Sequence, residues 1–287
     1  MIRLSETDLI LNTDGSVYHL NLLPKHIADV IITVGDPGRV HRVSRHFEKT
    51  EFEMNKREFI THTGWFNGKR ITVISTGIGT DNMEIVLTEL DALVNVDLKL
   101  REPKSRRKRL KIIRIGTSGA LQEDIEPGSH LIAEYGIGLD NLMQFYNLKL
   151  STFEMRIGKD IRRKTSLPFT PYVVKGSNLL LGRLGFDMIK GNTVTAPGFY
   201  APQGRKMRIA SRYPKLLQDL TYYHNKSSNF WLTNIEMETS ALYAFGRLFD
   251  HEVISTNVIL ANRNAKKFLN RYEEAMDSLI EKVLERI

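Results

Sequence analysis

Arginine residues follow or interrupt two predicted strands at points where they could bind an anion. Arg39 lies directly after the turn 35–38, which contains two glycines, and Arg114 interrupts the apolar run 112–115. A glycine turn exposes backbone N–H groups, and a guanidinium is a forked cationic donor that matches phosphate. A buried arginine also needs an anionic partner, which a carboxylate or a bound phosphate can supply. The pattern predicts a phosphate site; the alternatives are a surface arginine at 39 and a structural salt bridge at 114.

The composition limits the remaining chemistry. The chain has 287 residues, no cysteine and a formal net charge of +8, with 41% hydrophobic and 26% charged residues. These proportions are typical of a soluble globular protein, and the lack of cysteine excludes disulfides, thiolate nucleophiles and cysteine-ligated zinc. No apolar stretch reaches the roughly 18 residues that a membrane span needs, and the opening segment lacks the layout of a secretory signal. A cytoplasmic location is therefore expected.

Much of the net positive charge lies in one segment. Residues 99–111 (KLREPKSRRKRLK) are rich in lysine and arginine and contain a single glutamate, whereas the rest of the chain is close to neutral. No aromatic residue is interleaved to stack on bases, so nucleic-acid binding is not expected. The segment, at about 97–111, is predicted to be a solvated insertion in a single domain that spans residues 1–287.

The elements that must position these residues alternate between strand and helix patterns. Strands interleaved with helices predict an α/β fold, a single domain with a central mixed β-sheet flanked by helices. Ligands of such sheets bind outside the carboxyl ends of the strands. The predicted strands cover 28–34, 58–63, 70–75, 111–115, 130–133, 192–196 and 253–260; the predicted helices cover 81–94, with Asp81 as its cap, 178–184, 236–249 and 268–287; residues 116–119 are predicted to form a turn, and no structure is predicted for 140–170.

Four motifs occur in the same order as in the nucleoside phosphorylase superfamily, which the chain resembles from about residue 19 to residue 263. They are GDPGRV (35–40), STGIGTDN (75–82), RIGTSGA (114–120) and NIEMETSAL (234–242). A further stretch, FYAPQGR (199–205), resembles the uridine phosphorylase branch. The resemblance implies a fold of nucleoside phosphorylase type and an enzyme, a pentosyltransferase of uridine phosphorylase type.

The chemistry of the uridine-type stretch fits a pyrimidine base. The Gln203 amide offers a donor and an acceptor side by side, and Arg205 can donate to a carbonyl oxygen that gains charge as the base leaves. Phe199 can stack on the ring. By resemblance, Arg263 assists the same carbonyl, directly or through Arg205 and water, with a surface or helix-capping arginine as the alternative. Asn262 stands where hexameric purine-cleaving relatives have an aspartate, and an amide cannot protonate a purine.

The resemblance also assigns the sugar and the phosphate. Glu238 is implied to hold the ribose 2′-hydroxyl, with support from Glu236, and Met237 to pack on the sugar face. For Glu236 and Met237 the alternative is an ordinary position near a helix N-terminus, where acidic residues are favoured. The implied phosphate ligands are Gly35, Arg39, Arg114, Thr117 and, from a neighbouring subunit, Arg57.

Two segments imply that active sites are shared between subunits. By resemblance, His19 reaches the ribose 5′-hydroxyl of a neighbour, as Arg57 reaches its phosphate. An obligate homodimer follows, with assembly into a hexamer, as a trimer of dimers, as the expected larger form. A structural potassium ion at the dimer contact is implied from Glu58, the Ile71 carbonyl and Ser75. No other cofactor is expected, because inorganic phosphate is a co-substrate.

The implied reaction is phosphorolysis of a pyrimidine nucleoside, uridine or deoxyuridine, to the free base and ribose or deoxyribose 1-phosphate, in pyrimidine salvage. The alternatives are a purine nucleoside phosphorylase or a nucleosidase of the same superfamily, or a non-catalytic protein that binds a nucleoside or RNA. Dependence of uracil release on phosphate distinguishes these cases.

Overall fold

A mixed β-sheet with helices on its faces organises the chain, whose computed structural model describes residues 3–287. The strands are β1 (Val30–Val34), β2 (Lys49–Lys56), β3 (Phe59–Phe66), β4 (Lys69–Ser75), β5 (Val96–Asp97), β6 (Glu102–Pro103), β7 (Lys111–Ala120), β8 (His130–Gly138), β9 (Tyr172–Lys175), β10 (Ile189–Thr195), β11 (His224–Asn225), β12 (Phe230–Trp231), β13 (Asn234–Glu236), β14 (Glu252–Asn262) and β15 (Lys267–Phe268). The α-helices are α1 (Pro37–Ser44), α2 (Thr80–Asn95), α3 (Thr152–Thr165), α4 (Asn178–Leu184), α5 (Leu216–Thr221), α6 (Thr239–Phe249) and α7 (Tyr272–Arg286). Short 3₁₀ helices cover Pro24–His26, Leu142–Phe145, Ala201–Gln203 and Lys226–Ser228.

Part of the main sheet closes on itself. Strands β7, β14, β8, β10 and β13 pair in that order, and β13 pairs back with β7. From β7 the sheet extends through β1, β4, β3 and β2. Strands β4, β1, β7 and β14 run parallel, so their carboxyl ends meet at one edge. The predicted α/β class with a central mixed sheet is confirmed.

Helices α2 and α6 connect the site edge of the sheet to the opposite end. Met83, Val86, Leu87 and Leu90 are buried at helical spacing on α2, which explains how it packs on the core. Helix α6 is buried over most of its length and packs against both α2 and the sheet. Helix α2 begins directly after Gly79, and α6 begins directly after Glu238, a residue of the predicted site. No helix among residues 3–287 is long and apolar enough to cross a membrane.

Three local predictions were wrong, because tertiary pairing overrides local patterns. Residues 116–119 form no turn, since β7 continues to Ala120 in parallel register with β14. Asp81 is no cap, because α2 begins at Thr80 after Gly79, which leaves Asp81 in the first turn. The last helix begins at Tyr272, since 267–268 pairs with β14 as a short strand.

Three further segments were missed or misjudged from the periodicity of the sequence. Strand β2, 49–56, was not predicted, since it is mostly exposed and carries a weak alternating pattern. Helix α3 lies within the unassigned segment 140–170 and begins with a capping box between Ser151 and Glu154. Residues 234–236 form strand β13, so the helix predicted from 236 begins only at Thr239.

Candidate active site

A pocket of about 740 Å³ opens where the strands β1, β7 and β13 meet the starts of α1, α2 and α6. It joins four of the sequence motifs with the uridine-type stretch. The predicted site residues on its wall are Gly35, Arg39, Glu58, Arg114, Thr117, Phe199, Gln203, Arg205, Met237 and Glu238. The structure therefore brings most of the predicted phosphate, sugar and base residues together, over sequence separations of up to about 200 residues.

Two buried arginines lie at one end of this pocket. Arg39, at the start of α1, donates from Nη1 to the Ile115 carbonyl at 3.2 Å. Arg114, on β7, donates from Nη1 to Asn257 Oδ1 at 3.2 Å. The Nε of each is buried and has no hydrogen-bond acceptor among residues 3–287. Burial lowers the pKa of Arg39, which the nearby Tyr272 hydroxyl partly offsets. Unpaired buried donors on two adjacent cations are suited to an oxyanion.

Gly35 and Thr117 complete the wall of this anion site. A Cβ on Gly35 would contact the Gly77 carbonyl at 3.4 Å, so the backbones of two site loops approach closely there. Asp36 caps α1 by accepting from the Gly38 N–H at 2.9 Å, and Asp36 and Pro37 at the start of this helix line the pocket. Thr117 directly follows Gly116 on β7 and lies on the pocket wall.

Two buried carboxylates face the arginines from the β13–α6 junction. Glu238 accepts from Arg114 Nη2 and, at 2.9 Å, from the Gly79 N–H. Glu236 lies 3.4 Å from the same Nη2 and accepts from the Thr239 N–H at 3.0 Å. Burial raises the pKa of Glu236, which the charge of Arg114 opposes. The expected salt bridge of Arg114 thus exists, and its Nε has no acceptor among the described residues.

The base-recognition residues lie at the other end of the pocket. Arg205 donates from Nη1 to Gln203 Oε1 at 2.6 Å and to the Phe199 carbonyl at 2.5 Å, with its guanidinium 3.5 Å from the Phe199 ring centroid. Desolvation, followed by the charge of Arg263, lowers the pKa of Arg205. Gln203 is buried and Phe199 is half exposed at the mouth. The arrangement presents an amide and a guanidinium next to an aromatic face.

Arg263 and Asn262 lie behind this wall and outside the pocket lining. Arg263 donates to the backbone carbonyls of Gln203 and, at 3.1 Å, Gly204. Asn262 donates to the carbonyls of Gln122 (2.8 Å) and Ile125 (3.0 Å). Arg263 therefore fixes the loop that carries Gln203, which favours an indirect effect on the base over direct contact.

His19 and Arg57 also lie outside the pocket lining of their own chain. The His19 ring is held by Glu89 at 2.7 Å, and Glu89 also accepts from the backbone N–H groups of His19 and Leu20. Arg57 is exposed, with its guanidinium 5.8 Å from the centroid of the Tyr18 ring. The two predicted partner residues thus form one surface group around Tyr18.

Two of the three predicted cation ligands, Glu58 and Ser75, are in contact within one chain, whereas Ile71 lies apart from them. Ser75 Oγ contacts the Glu58 carbonyl at 2.5 Å, while the Glu58 side chain faces the pocket. Ile71 lies four residues from Ser75 along β4, which corresponds to about 13 Å. Among residues 3–287, no group of three or more His, Cys, Asp or Glu side chains could hold a metal ion.

Several site residues were not predicted from the sequence. Asn257 holds Arg114, Gly79 holds Glu238, and the apolar side chains of Ile78, Leu260 and Phe268 line the mouth. Asn257 carried a usable signal, because a polar residue interrupts the apolar strand VISTNVILA as Arg114 interrupts its own. The mouth residues carried none, since apolar residues in such positions are ordinarily core.

Comparisons with known proteins agree with this geometry. The family model of the phosphorylase superfamily matches residues 29–285. The chain is 36% identical to the uridine phosphorylase of Haemophilus influenzae over 258 residues, 89% of this chain and 90% of that protein. It is 24% identical to a DeoD-type purine nucleoside phosphorylase of Streptococcus suis over 247 residues, 84% of each chain.

A solved structure gives the same assignment. The nucleoside phosphorylase of Trypanosoma brucei, which shows uridine phosphorylase activity, superimposes with a TM-score of 0.89 at 30% identity, over 97% of this chain and 99% of that one. With a family match across nearly its whole length and a pocket that unites the family's motifs, this chain belongs to the phosphorylase superfamily.

Proposed function

We propose that this protein is a uridine phosphorylase, which cleaves uridine or deoxyuridine with inorganic phosphate. One observation carries the proposal: the pocket has two buried arginines with unpaired Nε atoms at one end and the Gln203–Arg205 pair at the other. The first end suits phosphate and the second a pyrimidinedione. The names of the relatives from Haemophilus influenzae and Trypanosoma brucei support the same activity.

At the anion end, phosphate would be held below the sugar by Arg39, Arg114, Thr117 and the backbone at Gly35. Cations fixed by the fold need not reorganise during the reaction, so they position the nucleophile at small cost. Arg114 also contacts Glu238, which links the phosphate site to the sugar site.

At the sugar, the Glu238 carboxylate accepts a hydrogen bond from the ribose 2′-hydroxyl, and Met237 packs on the ring. A carboxylate next to this hydroxyl stabilises the sugar more strongly as it becomes cationic in the transition state. The Gly79 N–H and Arg114 hold the carboxylate in place.

At the base, Gln203 pairs with the uracil edge, and Arg205 donates to the carbonyl that gains negative charge. Arg263 acts on this step through the backbone of residues 203 and 204. Stabilisation of the leaving base by fixed donors removes the need for a strongly perturbed general acid.

The test is release of uracil from uridine by the purified protein with and without phosphate, followed by detection of ribose 1-phosphate. A phosphorylase requires phosphate and forms the sugar phosphate. Phosphate-independent release would identify a nucleosidase, preference for inosine a purine enzyme, and no turnover a binding protein; each of these results contradicts the proposal.

We further propose that two subunits share each pocket, in a homodimer that assembles into a hexamer. This is supported by the position of His19 and Arg57, which form one surface group outside the pocket of their own chain. If both act in the partner's pocket, a heterodimer of His19→Ala and Arg114→Ala chains has one pocket with both defects and one with neither.

Co-expression of these two variants with different tags should therefore yield heterodimers with up to half of the wild-type sites intact. Residues that act in their own chain leave one defect in every pocket. Heterodimers no more active than the parent variants, with assembly confirmed by size, contradict a shared site.

The remaining proposals concern the surroundings of the reaction. A potassium ion at the dimer contact would take oxygen ligands from Glu58, Ile71 and Ser75 of both subunits, since a hard cation prefers oxygen. Equal activity and equal melting temperature in potassium and in tetramethylammonium salts would contradict it. A cytoplasmic role in pyrimidine salvage suits the reaction, and localisation of a tagged chain tests it.

A further inference from the structure

Asn257 is a fully buried asparagine in the middle of strand β14. It does not line the pocket. The register of β7 with β14 pairs it with Gly116, so its side chain lies on the same face of the sheet as Arg114, two residues away. Its Oδ1 accepts from Arg114 Nη1 at 3.2 Å. A polar side chain so deep in the sheet therefore serves the arginine and not the ligand directly.

The amide of Asn257 is oriented by its other end. Its Nδ2 lies 3.4 Å from Ser255 Oγ, and the same oxygen accepts from Thr239 Oγ1 at 2.8 Å. The donor end of the amide thus points to a hydroxyl network at the start of α6, which leaves the acceptor end for Arg114.

The guanidinium of Arg114 is held on several sides. Asn257 binds Nη1, and Glu238 and Glu236 lie against Nη2. Gly116 forms the floor, because a Cβ there would overlap the guanidinium itself. The Nε is the nitrogen left without a partner among the described residues.

We infer that Asn257 is a positioning residue that orients Arg114 for phosphate, an inference that rests on the proposed function. The carboxylates Glu236 and Glu238 already lie against Arg114 and offset its charge. A neutral acceptor on the third side fixes the guanidinium without cancelling more of its charge. An aspartate, of the same shape, would hold Arg114 but add a negative charge close to the phosphate.

The experiment measures initial rates against phosphate and against uridine separately, together with the binding of inorganic phosphate to the nucleoside-free protein by calorimetry. Asn257→Ala should raise the KM and the Kd for phosphate roughly tenfold, the order expected for one hydrogen bond to a charged group. Asn257→Asp, which keeps the shape of the side chain, should weaken phosphate binding at least as much. The KM for uridine should change less than the KM for phosphate in both variants.

The matched control is Asn95→Ala. Asn95 is similarly buried and makes three side-chain hydrogen bonds, but it lies at the far end of α2. This variant should melt earlier and keep wild-type phosphate affinity. The inference is overturned if Asn257→Asp keeps the wild-type KM and Kd for phosphate. This variant provides the test even where Asn257→Ala folds poorly. A wild-type protein that releases no uracil with phosphate would instead contradict the proposed function.

Discussion

Arg39 should be more important for binding than for stability. Its side chain is 6% exposed, its Nε has no acceptor among the described residues, and burial lowers its pKa. A buried cation without an anionic partner costs free energy. Arg39→Met keeps much of the aliphatic volume and removes the charge. In the absence of phosphate, the variant should therefore be as stable as the wild type or more stable.

The Arg39→Met change should strongly weaken the binding of phosphate. A hydrogen bond to a charged group contributes about 1.5–3 kcal/mol, which corresponds to a rise in Kd of roughly 10- to 150-fold. At a phosphate concentration of about 100 times the wild-type Kd, binding stabilises the wild type by about 2.7 kcal/mol. A variant with a 100-fold weaker Kd gains only about 0.4 kcal/mol at that concentration.

The assay is chemical denaturation with and without phosphate, with Arg42→Met as the control from the same helix. Arg42 pairs with Asp277 at 2.9 Å and donates to the Glu273 carbonyl. Its loss should lower the free energy of unfolding and leave the stabilisation by phosphate intact. The reasoning is refuted if Arg39→Met loses more than about 2 kcal/mol without phosphate, or if phosphate still stabilises it as it does the wild type.

Two further predictions concern residues outside the pocket. Asn262→Asp should not create inosine cleavage and should lower the melting temperature, because a carboxylate would face the carbonyls to which the amide now donates. Only the protonated acid can donate, so the melting temperature should fall further below that of the wild type at pH 8 than at pH 5. Efficient inosine turnover, or an unchanged melting temperature, contradicts this prediction. Lys104→Met should lower the free energy of unfolding by about 0.3–1 kcal/mol at unchanged phosphate KM, because its Nζ donates to the Val94 carbonyl at the end of α2. A shift in phosphate KM with no loss of stability would contradict that assignment.

The sequence was sufficient to predict several of the buried strands and the motifs at their ends. Strand β1 and the first half of β7 are short apolar runs, and the arginines next to them could be recognised as anion ligands. The extent of β7 could not be predicted, because 116–119 reads as a turn until β14 is paired with it. Pairing across about 140 residues leaves no local pattern.

The role of a site residue was easiest to predict where its side chain makes no structural contact. It was harder to predict where one side chain both serves the site and holds the structure together. The sequence allows Arg114 to be either a phosphate ligand or a partner in a salt bridge. In the structure it forms the salt bridge with Glu238, and its Nε stays unpaired among the described residues. Arg263 was expected near the base, but its donors bind the backbone at 203 and 204. A motif identifies which residues matter, whereas the partner of each guanidinium nitrogen depends on the packed structure.

The contacts of the basic segment, 99–111, could not be predicted from the sequence either. Two of its cations bind the C-terminal ends of α2 and α6, the helices that begin beside the pocket. Its side chains are exposed from 103 to 109, yet Lys104 donates to the Val94 carbonyl at the end of α2. Arg109 donates to the Asp250 carbonyl at the end of α6 and pairs with Glu252. At their other ends, these two helices begin directly after Gly79 and Glu238, beside the sugar site.

Cations at a helix C-terminus are favourable because that end of the helix dipole is negative. The positive ends of α2 and α6 both face the pocket, where Gly79 donates its N–H to Glu238. Some of the positive charge of the basic segment therefore interacts with helix ends of its own chain. A cation that already binds a helix carbonyl is less available to a polyanion, which gives a physical reason why a basic segment of this kind need not indicate a nucleic-acid partner.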